Sequence, residues 1–508
     1  MLKISFISKL SILVLFIIGA TSNLYTQVTI GSNLPANKGS LLDIKQKNSY
    51  ENKVTTQKGL GLPRVVLTSD SDMRDISGAT GQERDHIGLI VYNISDHSHC
   101  PILSPGIYVW NGKQWEELFD DSENKQDLSA SGTTDTYKSA NTYVMAPEKR
   151  IAIPIKRAFQ IWKDYQSAIP GSPTQYEIEN GKVLDLASVN NLSGKLSASI
   201  AWQEAFDNIN TDVVICARIA GENEDAKLIV ASGQKFGNAL IQVHIGPQGN
   251  NTDPVFWQWQ IWVPDGDPTA TNATTYTLTN DDNNSWTFMD RNLGAIDTKP
   301  MTSSHDPYGT QPTTQSAHGV FYQWGRPTPI QRWGNVSLFV RGTNESVNFT
   351  KALTSKFFVG SSSYHDGLAS DWYSINNLQY NNRWHSDRDA KSPFDPCPQG
   401  WRVPRWKGTP AKSPWANLTF ENCIYDITCS GYTWTTPYNA GYYPFAGRRT
   451  IIGSINYNTG TSSMIWTATP SSGYYYACAF SLTINVQPID NAQHTERSWS
   501  HSVRCVKE

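Results

Sequence analysis

The feature that most constrains the fold is a series of short runs in which successive side chains would point to opposite faces of a strand. Turn residues separate the runs. In the clearest run, 256–263, the side chains of Trp257, Trp259, Ile261 and Val263 fall on one face of an extended strand. A period of two is typical of β-strands, whereas an amphipathic helix repeats every 3.6 residues. The pattern therefore predicts a mainly β protein with several domains.

Length and charge narrow the class of protein further. At about 150 residues per domain, the 508 residues predict three domains. The 42 basic and 45 acidic residues leave a formal net charge of −3, so no overall field favours nucleic acid or an anionic membrane as partner. Only 17% of the residues are charged, while Asn, Thr, Ser and Gly are plentiful, which is typical of β-rich extracellular modules.

The N-terminus has the pattern of a secretory signal peptide, residues 1–26. Lys3 and Lys9 lie near the start, and an apolar stretch follows from Leu10 to Ala20. That stretch is shorter than the roughly 20 residues that a membrane helix needs, and no later segment is apolar enough to be one. We therefore expect an exported protein without a transmembrane segment, extracellular or associated with the cell surface or outer membrane.

Residues 27–118 are predicted to form a small N-terminal β module. Residues 106–110 alternate before Asn111-Gly112, a strong hairpin signal that returns the chain to Trp115. The segments 28–31 and 39–44 resemble the opening of many Bacteroidetes surface proteins, which implies a presentation or assembly role. The polar residues 119–136 are predicted to be a linker.

Residues 137–265 are predicted to form an immunoglobulin-like β-sandwich. The runs 212–219, 227–231, 238–245 and 256–263 are short strands, separated by Gly, Asn and Asp turns. We expect the aromatic face of the last strand to be core rather than a ligand platform, and the domain to be a spacer.

Four ordered blocks mark residues 266–508: 287–295, 319–325, 395–404 and 502–507. Together they closely resemble the Fibrobacter succinogenes major paralogous domain, a family of surface and secreted proteins of Bacteroidetes-type bacteria without an established enzymatic activity. The early Gly-Trp-Arg-Val-Pro run at 400–404 and the late Arg-Cys-Val ending at 504–506 are also similar to formylglycine-generating-enzyme and C-type-lectin-like folds, and this resemblance implies a C-type-lectin-like α+β domain. Family members usually have a hydroxyl residue just after the first run, but this chain has Arg405 there, so Ser413 is the alternative helix cap, with Pro414 at the first helical position.

Seven cysteines in an exported chain predict disulfides with one cysteine left over. The lectin-like resemblance implies a pair between Cys397 and Cys505, because such domains commonly join an early cysteine to one near the C-terminus. The pairing of Cys423, Cys429 and Cys478 is left open. Cys216, within a predicted strand, is expected to be a buried thiol.

Sequence motifs of catalysis are absent, so we do not expect an enzyme. No nucleophile elbow, phosphate loop, dinucleotide fingerprint or zinc-protease motif occurs. The acid pairs 281–282 and 265/267 lie in turn sequences, where Asp is common for backbone reasons. No cofactor is expected apart from a possible calcium ion in the loop 371–395, and the alternative is a solvated loop with Asx turns. The oxygen ligands that this loop offers are Asp371, Asn381, Asn382, Asp387, Asp389 and Asp395.

Recognition is expected on two long loops of the third unit, 360–395 and 460–493. Flat aromatic rings beside hydrogen-bonding groups suit both sugars and protein surfaces. The alternative is that these rings fix the loops to the domain. The candidate binding residues are Trp372, Tyr373, Tyr380, Trp384 and Trp466.

Three functions remain in competition. The first is binding or adhesion at the cell surface, with a glycan or a protein as partner of the C-terminal module. The second is a structural or accessory subunit of an outer-membrane or fimbrial assembly. The third, a glycan-active enzyme, is disfavoured by the absent motifs.

Overall fold

The computed structural model of the chain describes residues 28–38, 40–47, 56–95, 103, 105–118, 125–128, 140–159, 194–205, 212–299, 315–332, 336, 338–340, 356–359, 371–372, 383–409, 411–434, 436–450, 458–471, 476–484 and 489–508. This part of the chain is mainly β and divided among several sheets, which confirms the predicted coarse fold class. The expected signal peptide, 1–26, lies outside it.

Six strands make up the first unit. They are β1 (Val28–Ile30), β2 (Leu42–Ile44), β3 (Arg64–Val65), β4 (Ile90–Asn93), β5 (Gly106–Trp110) and β6 (Trp115–Glu117). Strands β1 and β2 form a two-stranded parallel sheet, and the other four form a second sheet in the order β3-β4-β5-β6. The predicted hairpin is present, because β5 and β6 run antiparallel with Trp110 opposite Trp115.

Two four-stranded sheets form the second unit. Their strands are β7 (Lys125–Asp127), β8 (Thr142–Val144), β9 (Arg150–Pro154), β10 (Lys195–Ala205), β11 (Val214–Ala220), β12 (Lys227–Ser232), β13 (Gly237–Gly246) and β14 (Val255–Val263). The sheet orders are β10-β13-β14-β8 and β11-β12-β9-β7, and both sheets contribute to one hydrophobic core. The strands predicted from the sequence match β11 to β14, with each bound correct to within two residues. A four-residue α-helical turn, 156–159, and a 3-10 turn, Asn223–Asp225, lie between strands.

The predicted linker is partly structured. Strand β7, inside the predicted linker 119–136, pairs in parallel with Arg150–Ala152 of β9. Residues 119–124 and 129–139 lie outside the described residues. Pairing to a sheet edge satisfies backbone groups without needing apolar side chains, so composition alone did not indicate this strand.

The sheet of β14 is buried on both faces. Trp257 and Trp259 lie in the core of the second unit, as expected for the odd-numbered face. The even-numbered face lies against the third unit, where Thr328 donates a hydrogen bond to Gln258 Oε1 at 3.2 Å. A buried sheet face that carries glutamines must have its polar groups paired, and the third unit supplies the partners.

The contact between the second and third units continues across this sheet. Asn141 Nδ2 donates to the carbonyl oxygens of Pro393 and Asp395 at 2.8 and 2.9 Å. On the opposite edge strand, the buried Glu204 carboxylate accepts the Arg332 backbone N–H at 2.9 Å. Side chains of both units belong to one core cluster, so we describe the two units together as the body (the described residues from 125 to 508).

The third unit is closed by its own last strand. Its strands are β15 (Thr275–Thr279), β16 (Ser285–Met289), β17 (Tyr322–Gln323), β18 (Leu338–Val340), β19 (Phe357–Val359), β20 (Trp401–Arg402), β21 (Cys423–Asp426), β22 (Gly431–Trp434), β23 (Gly441–Pro444), β24 (Ser462–Pro470), β25 (Tyr476–Thr483), β26 (Ile489–Glu496), β27 (Ser500–His501) and β28 (Val506–Lys507). Strand β28 lies between β16 and β20, with Val506 opposite Phe288 and Lys507 opposite Trp401. The first and last strands of the unit therefore share a sheet.

The helix expected from Ser413 is a pair of turns. Ser413 Oγ accepts the backbone N–H of Trp415 at 3.2 Å, and a 3-10 turn follows at Phe420–Asn422. Trp415 and Leu418 are both buried in the core, as a helix would have placed them. The serine side chain turns the backbone locally, which competes with helix propagation. Within the described residues, no helix is long and apolar enough to cross a membrane.

Candidate assembly surface

Exposed aliphatic side chains concentrate in the first unit. Of fourteen exposed large hydrophobic residues in the described part of the chain, ten lie between residues 28 and 118. The ten are Val28, Ile30, Leu41, Leu42, Leu60, Val66, Ile87, Ile90, Ile94 and Leu118. Exposed aliphatic side chains that form a continuous patch are typical of interaction sites.

The first exposed face belongs to the two-stranded sheet β1–β2, which we call the ribbon. Val28 lies beside Leu42, and Ile30 lies beside Ile44, so all four side chains share one face. Val28, Ile30 and Leu42 are 54%, 52% and 53% exposed. Parallel sheets are normally covered on both faces, and two strands alone are marginally stable in water. The ribbon therefore needs a partner on this face.

The other face of the ribbon is polar and internally paired. Lys45 Nζ lies 2.8 Å from Asp43 Oδ2, and the Asn37 backbone N–H donates to the same oxygen at 2.8 Å. The hydrogen bond from Lys45 holds the pKa of Asp43 below its ordinary value. The Asp43 carboxylate is therefore satisfied within the ribbon, whereas the buried Thr29 hydroxyl on the same side has no hydrogen-bond partner among the described residues.

The four-stranded sheet has an inner face that forms the core of the first unit. Val91, Tyr108, Trp110 and Trp115 are buried there, and the two indole rings lie 5.4 Å apart. Trp110 Nε1 donates to the Glu83 carbonyl oxygen at 2.8 Å. Indoles with paired N–H groups make this core well defined within a single chain.

The opposite side of that sheet, which we call the outer face, is also aliphatic. Ile90 lies opposite Val109, and Tyr92 lies opposite Ile107. Backbone bonds continue the strands by one residue at Ile94, whose N–H donates to Val65 O, and at Leu118, whose N–H donates to Ile107 O. The outer face carries Val66, Ile90, Tyr92, Ile94, Ile107, Val109 and Leu118, each half-buried or exposed, and also exposed Arg64 beside Tyr92 and exposed Glu116 opposite Val109.

Both faces of this sheet are largely apolar, a pattern that is typical of sheets covered on both faces. The continuous apolar run 89–92 carries that signal in the sequence, because a one-sided strand would alternate. The sequence predicts the hairpin, but the alternation behind that prediction does not indicate that the outer face also needs cover. Covering a half-exposed aliphatic side chain contributes about 1 kcal/mol, so the two faces together can stabilise an interface substantially.

The first unit contacts the body away from both faces. Arg218 Nη1 in β11 lies 3.0 Å from Asp70 Oδ2, and Lys113 Nζ, after the hairpin turn, lies 2.8 Å from Glu222 Oε1. The Lys113–Glu222 pair is well exposed, and exposed pairs contribute less than about 1 kcal/mol. The ribbon face and the outer face remain at the surface of the single chain.

The indoles predicted to bind a ligand lie inside the third unit. Trp372 and Trp384 are 1% exposed and Trp466 is 0% exposed. Trp372 Nε1 donates to Trp324 O at 2.8 Å, and Trp384 Nε1 donates to Phe394 O at 3.0 Å. These contacts correct the prediction for the three residues, because a ring that is enclosed by protein presents no face to a sugar.

Trp466 is held in the same way. Its Nε1 donates to Tyr322 O at 2.7 Å, and its ring lies 4.4 Å from that of His501. Tyr373 and Tyr380 lie outside the described residues. The alternative weighed for the loop aromatics, that they fix the loops to the domain, fits Trp372 and Trp384.

The implied disulfide is present. Cys397 and Cys505 are bonded with their Cα atoms 6.0 Å apart, and the link spans 108 residues. Cys216 is also disulfide-bonded, which corrects the expectation of a thiol there. Its partner lies outside the described residues, and a partner distant in sequence could not be read from the strand around Cys216.

Among the described cysteines, Cys423, Cys429 and Cys478 form no disulfide. Burial raises the pKa of Cys478 to about 12 and that of Cys423 to about 11. Both thiols therefore stay protonated near neutral pH, which makes them poor nucleophiles.

The carboxylates of the possible calcium loop are paired with cations. Asp395 Oδ1 accepts from buried Lys391 Nζ at 2.5 Å, and Asp371 lies 3.5 Å from Arg497. Arg388 pairs with Asp387 at 2.8 Å. Asn381 and Asn382 lie outside the described residues, and no group of three or more metal-ligating side chains occurs within them.

Asp389 has the richest cationic surroundings in that loop. Arg402, Arg405 and Lys407 approach its carboxylate at 2.5, 2.9 and 2.8 Å. Burial works to raise the pKa of Asp389, but the hydrogen bonds from Lys407 and Arg405 and the Arg402 charge hold it below its ordinary value. The carboxylate fixes three basic side chains of the 401–407 segment in place.

The acid pairs considered for catalysis make backbone and surface contacts. Asp267 accepts the backbone N–H of Thr269 at 2.8 Å, an Asx turn, and Asp282 lies 3.3 Å from Lys412. Asp281 lies in the same turn as Asp282. These contacts agree with the turn role expected from their sequence surroundings.

A groove of about 480 Å³ lies where the second unit meets the segment after β14. Its apolar floor includes Met145, Ile151, Phe236 and Pro264. Lys149, Arg150, Asp265 and Asp267 also line it. An apolar floor with a charged rim suits a ligand that has both apolar and hydrogen-bonding groups.

Comparison with known families places one similarity on the first unit. A family model described as a phage tail like trimerisation region matches residues 29–134. No curated protein and no solved structure matches the chain. The matched span contains the ribbon apart from Val28, the outer face and strand β7, so it overlaps the part of the chain that exposes most of the large aliphatic side chains among the described residues.

Proposed function

We propose that this protein is an exported, non-catalytic surface protein that forms a homotrimer through its N-terminal unit and presents its body for binding a glycan or a protein. The observation that carries the proposal is the coincidence of two findings on residues 28–118. That unit exposes two aliphatic faces, and a family model for a trimerisation region matches it. Three copies in one particle give the body three equivalent binding surfaces.

The architecture of the body supports a binding role. We propose that the two sheets of residues 140–263 are an immunoglobulin-like sandwich and that residues 266–508 are a C-type-lectin-like domain of the Fibrobacter succinogenes paralogous family. The long Cys397–Cys505 link and the pairing of β16 with β28 support the second assignment. Both are binding and spacer folds in many proteins, although a fold alone does not fix a ligand.

Binding by the body falls on features at its surface. The three indoles are buried, which favours ligand contacts elsewhere, and the groove beside Pro264 offers apolar and charged groups together. A sugar ring or an extended protein segment has the mixed character that such a groove accepts.

The second candidate function is a structural or accessory subunit of an outer-membrane or fimbrial assembly. The observation that favours it is the description of the matching family, which refers to a phage tail like assembly rather than to a receptor. In that case the exposed aliphatic faces contact other assembly proteins and the body is a spacer.

Glycan arrays with the purified protein and with a monomeric variant separate the two functions. Three linked sites raise apparent affinity by roughly 10²-fold or more when they can engage together. The binding function predicts a glycan or protein ligand for which the trimer exceeds the variant by that factor. Absence of any ligand, together with isolation of the native protein in a stoichiometric membrane complex, would favour the structural function instead.

A further inference from the structure

We infer that the ribbon of one copy packs on the outer face of the next copy, so that three copies close a ring in which every copy both gives a ribbon and receives one. The inference rests on the proposed trimer and adds the identity of the two contacting surfaces. It is carried by the number and kind of exposed faces within one chain.

Symmetry sets the first requirement. A twofold dimer can join one patch to itself, but a closed ring of three joins two different patches, head to tail. The first unit offers two different aliphatic faces, the ribbon face around Val28 and Leu42 and the outer face around Ile90 and Ile94. Val28, Leu42, Ile90 and Ile94 are each at least 40% exposed.

The shapes of the two faces fit this arrangement. The ribbon has two strands of three residues, and the outer face extends over four strands. Sheets pack face to face at about 10 Å, so a ribbon laid on the outer face makes a two-layer core from aliphatic side chains on both sides. The polar side of the ribbon, where Asp43 pairs with the largely buried Lys45, then faces away from the interface.

The competing arrangement places one kind of face on the threefold axis against itself. Three outer faces meeting at the axis would cover Ile90 and Ile94 but leave Val28, Ile30 and Leu42 in water. Three ribbons at the axis would leave the outer faces exposed. Ribbon-to-face packing is the arrangement that covers both sets at once.

Mixing two variants tests the pairing. The ribbon variant carries Val28→Asp and Leu42→Asp, and the face variant carries Ile90→Asp and Ile94→Asp. All four positions are at least 40% exposed, so neither change enters the core of the single chain. The control is Ile424→Asp, which is 58% exposed in the third unit and should leave assembly unchanged.

Sedimentation gives a distinct result for each arrangement. We expect the unaltered protein and the control to be trimers, and each variant alone to be monomeric. In an equimolar mixture at about 100 µM, the intact ribbon of the face variant should bind the intact outer face of the ribbon variant, giving a one-to-one dimer.

A monomeric mixture, or a variant that still forms trimers by itself, would overturn the ribbon-to-face pairing while leaving the trimer in place. A monomeric unaltered protein would instead overturn the proposed assembly. Melting curves that match the unaltered body show that the variants are folded.

Discussion

For individual tryptophans, the sequence does not distinguish a ligand-binding ring from a ring that anchors a loop. Trp372 and Trp384 lie among Asn, Ser and Asp in a long loop, a setting that suits a sugar-binding ring and a loop anchor equally well. Their indole N–H groups donate to backbone carbonyls of the same unit, and both rings are buried. Only the tertiary structure distinguishes the two roles, because the partners are 10 and 48 residues away in sequence.

Trp384→Ala should destabilise the protein. Deleting a buried indole leaves a cavity and an unpaired carbonyl, with a cost of about 3–5 kcal/mol in free energy of unfolding. Chemical denaturation measures this cost. The control is Phe420→Ala, because Phe420 is 57% exposed. An unchanged midpoint of unfolding for Trp384→Ala would show that the ring contributes no packing.

Asp297 should make the stability depend on pH. Its burial, reinforced by the Asp265 charge, raises its pKa above the ordinary value. The folded state therefore disfavours the ionised form, so this contribution is favourable at about pH 3 and is lost as pH rises through the folded pKa. We expect Asp297→Asn to raise the free energy of unfolding more at pH 7 than at pH 3. An equal change at both pH values would contradict the argument.

At the level of elements, alternation and turn residues were reliable guides. Strands β11 to β14 and the β5–β6 hairpin lie where the sequence predicts them. The reason is that alternating side chains and the adjacent turn residues are local sequence features. The errors have a different origin. Strand β7 forms by pairing with β9, and the expected helix after Ser413 yields to a serine-stabilised turn. The hairpin pattern does not predict the aliphatic outer face, because a hairpin with only one buried face would give the same pattern.

The Cys397–Cys505 link should be a large element of stability in the body. A disulfide that closes 108 residues reduces the entropy of the unfolded chain by the equivalent of about 4–5 kcal/mol. We expect the double substitution Cys397→Ala and Cys505→Ala to lower the free energy of unfolding by about that amount. Cys423→Ala, at a half-buried thiol, is the matched control. Equal losses in both proteins would contradict a structural role for the link.

At the level of the whole molecule, the three-part division needs one revision. The second and third units share a core and polar contacts such as Glu204 with Arg332, so they behave as one body. Sequence composition marks the segment near 265–274 as a boundary because it is rich in turn residues. It cannot show that the sheet before this segment is covered by the unit after it.

Limited proteolysis should cut the chain within the body, but the two fragments should stay bound to each other. The turn at 265–267 is exposed, so we expect cleavage near it. The two fragments should then elute together in native buffer and part only in denaturant, because the interface includes buried Gln258 and Trp262. Fragments that separate in native buffer would show that the two units are independent domains.

The whole account depends on assembly by the first unit, and the mass of the purified protein in solution tests this most directly. Light scattering or native mass spectrometry at about micromolar concentration should give three times the mass of one chain, and Ile90→Asp with Ile94→Asp should reduce it to one. A single-chain mass for the unaltered protein across the concentration series would contradict the account.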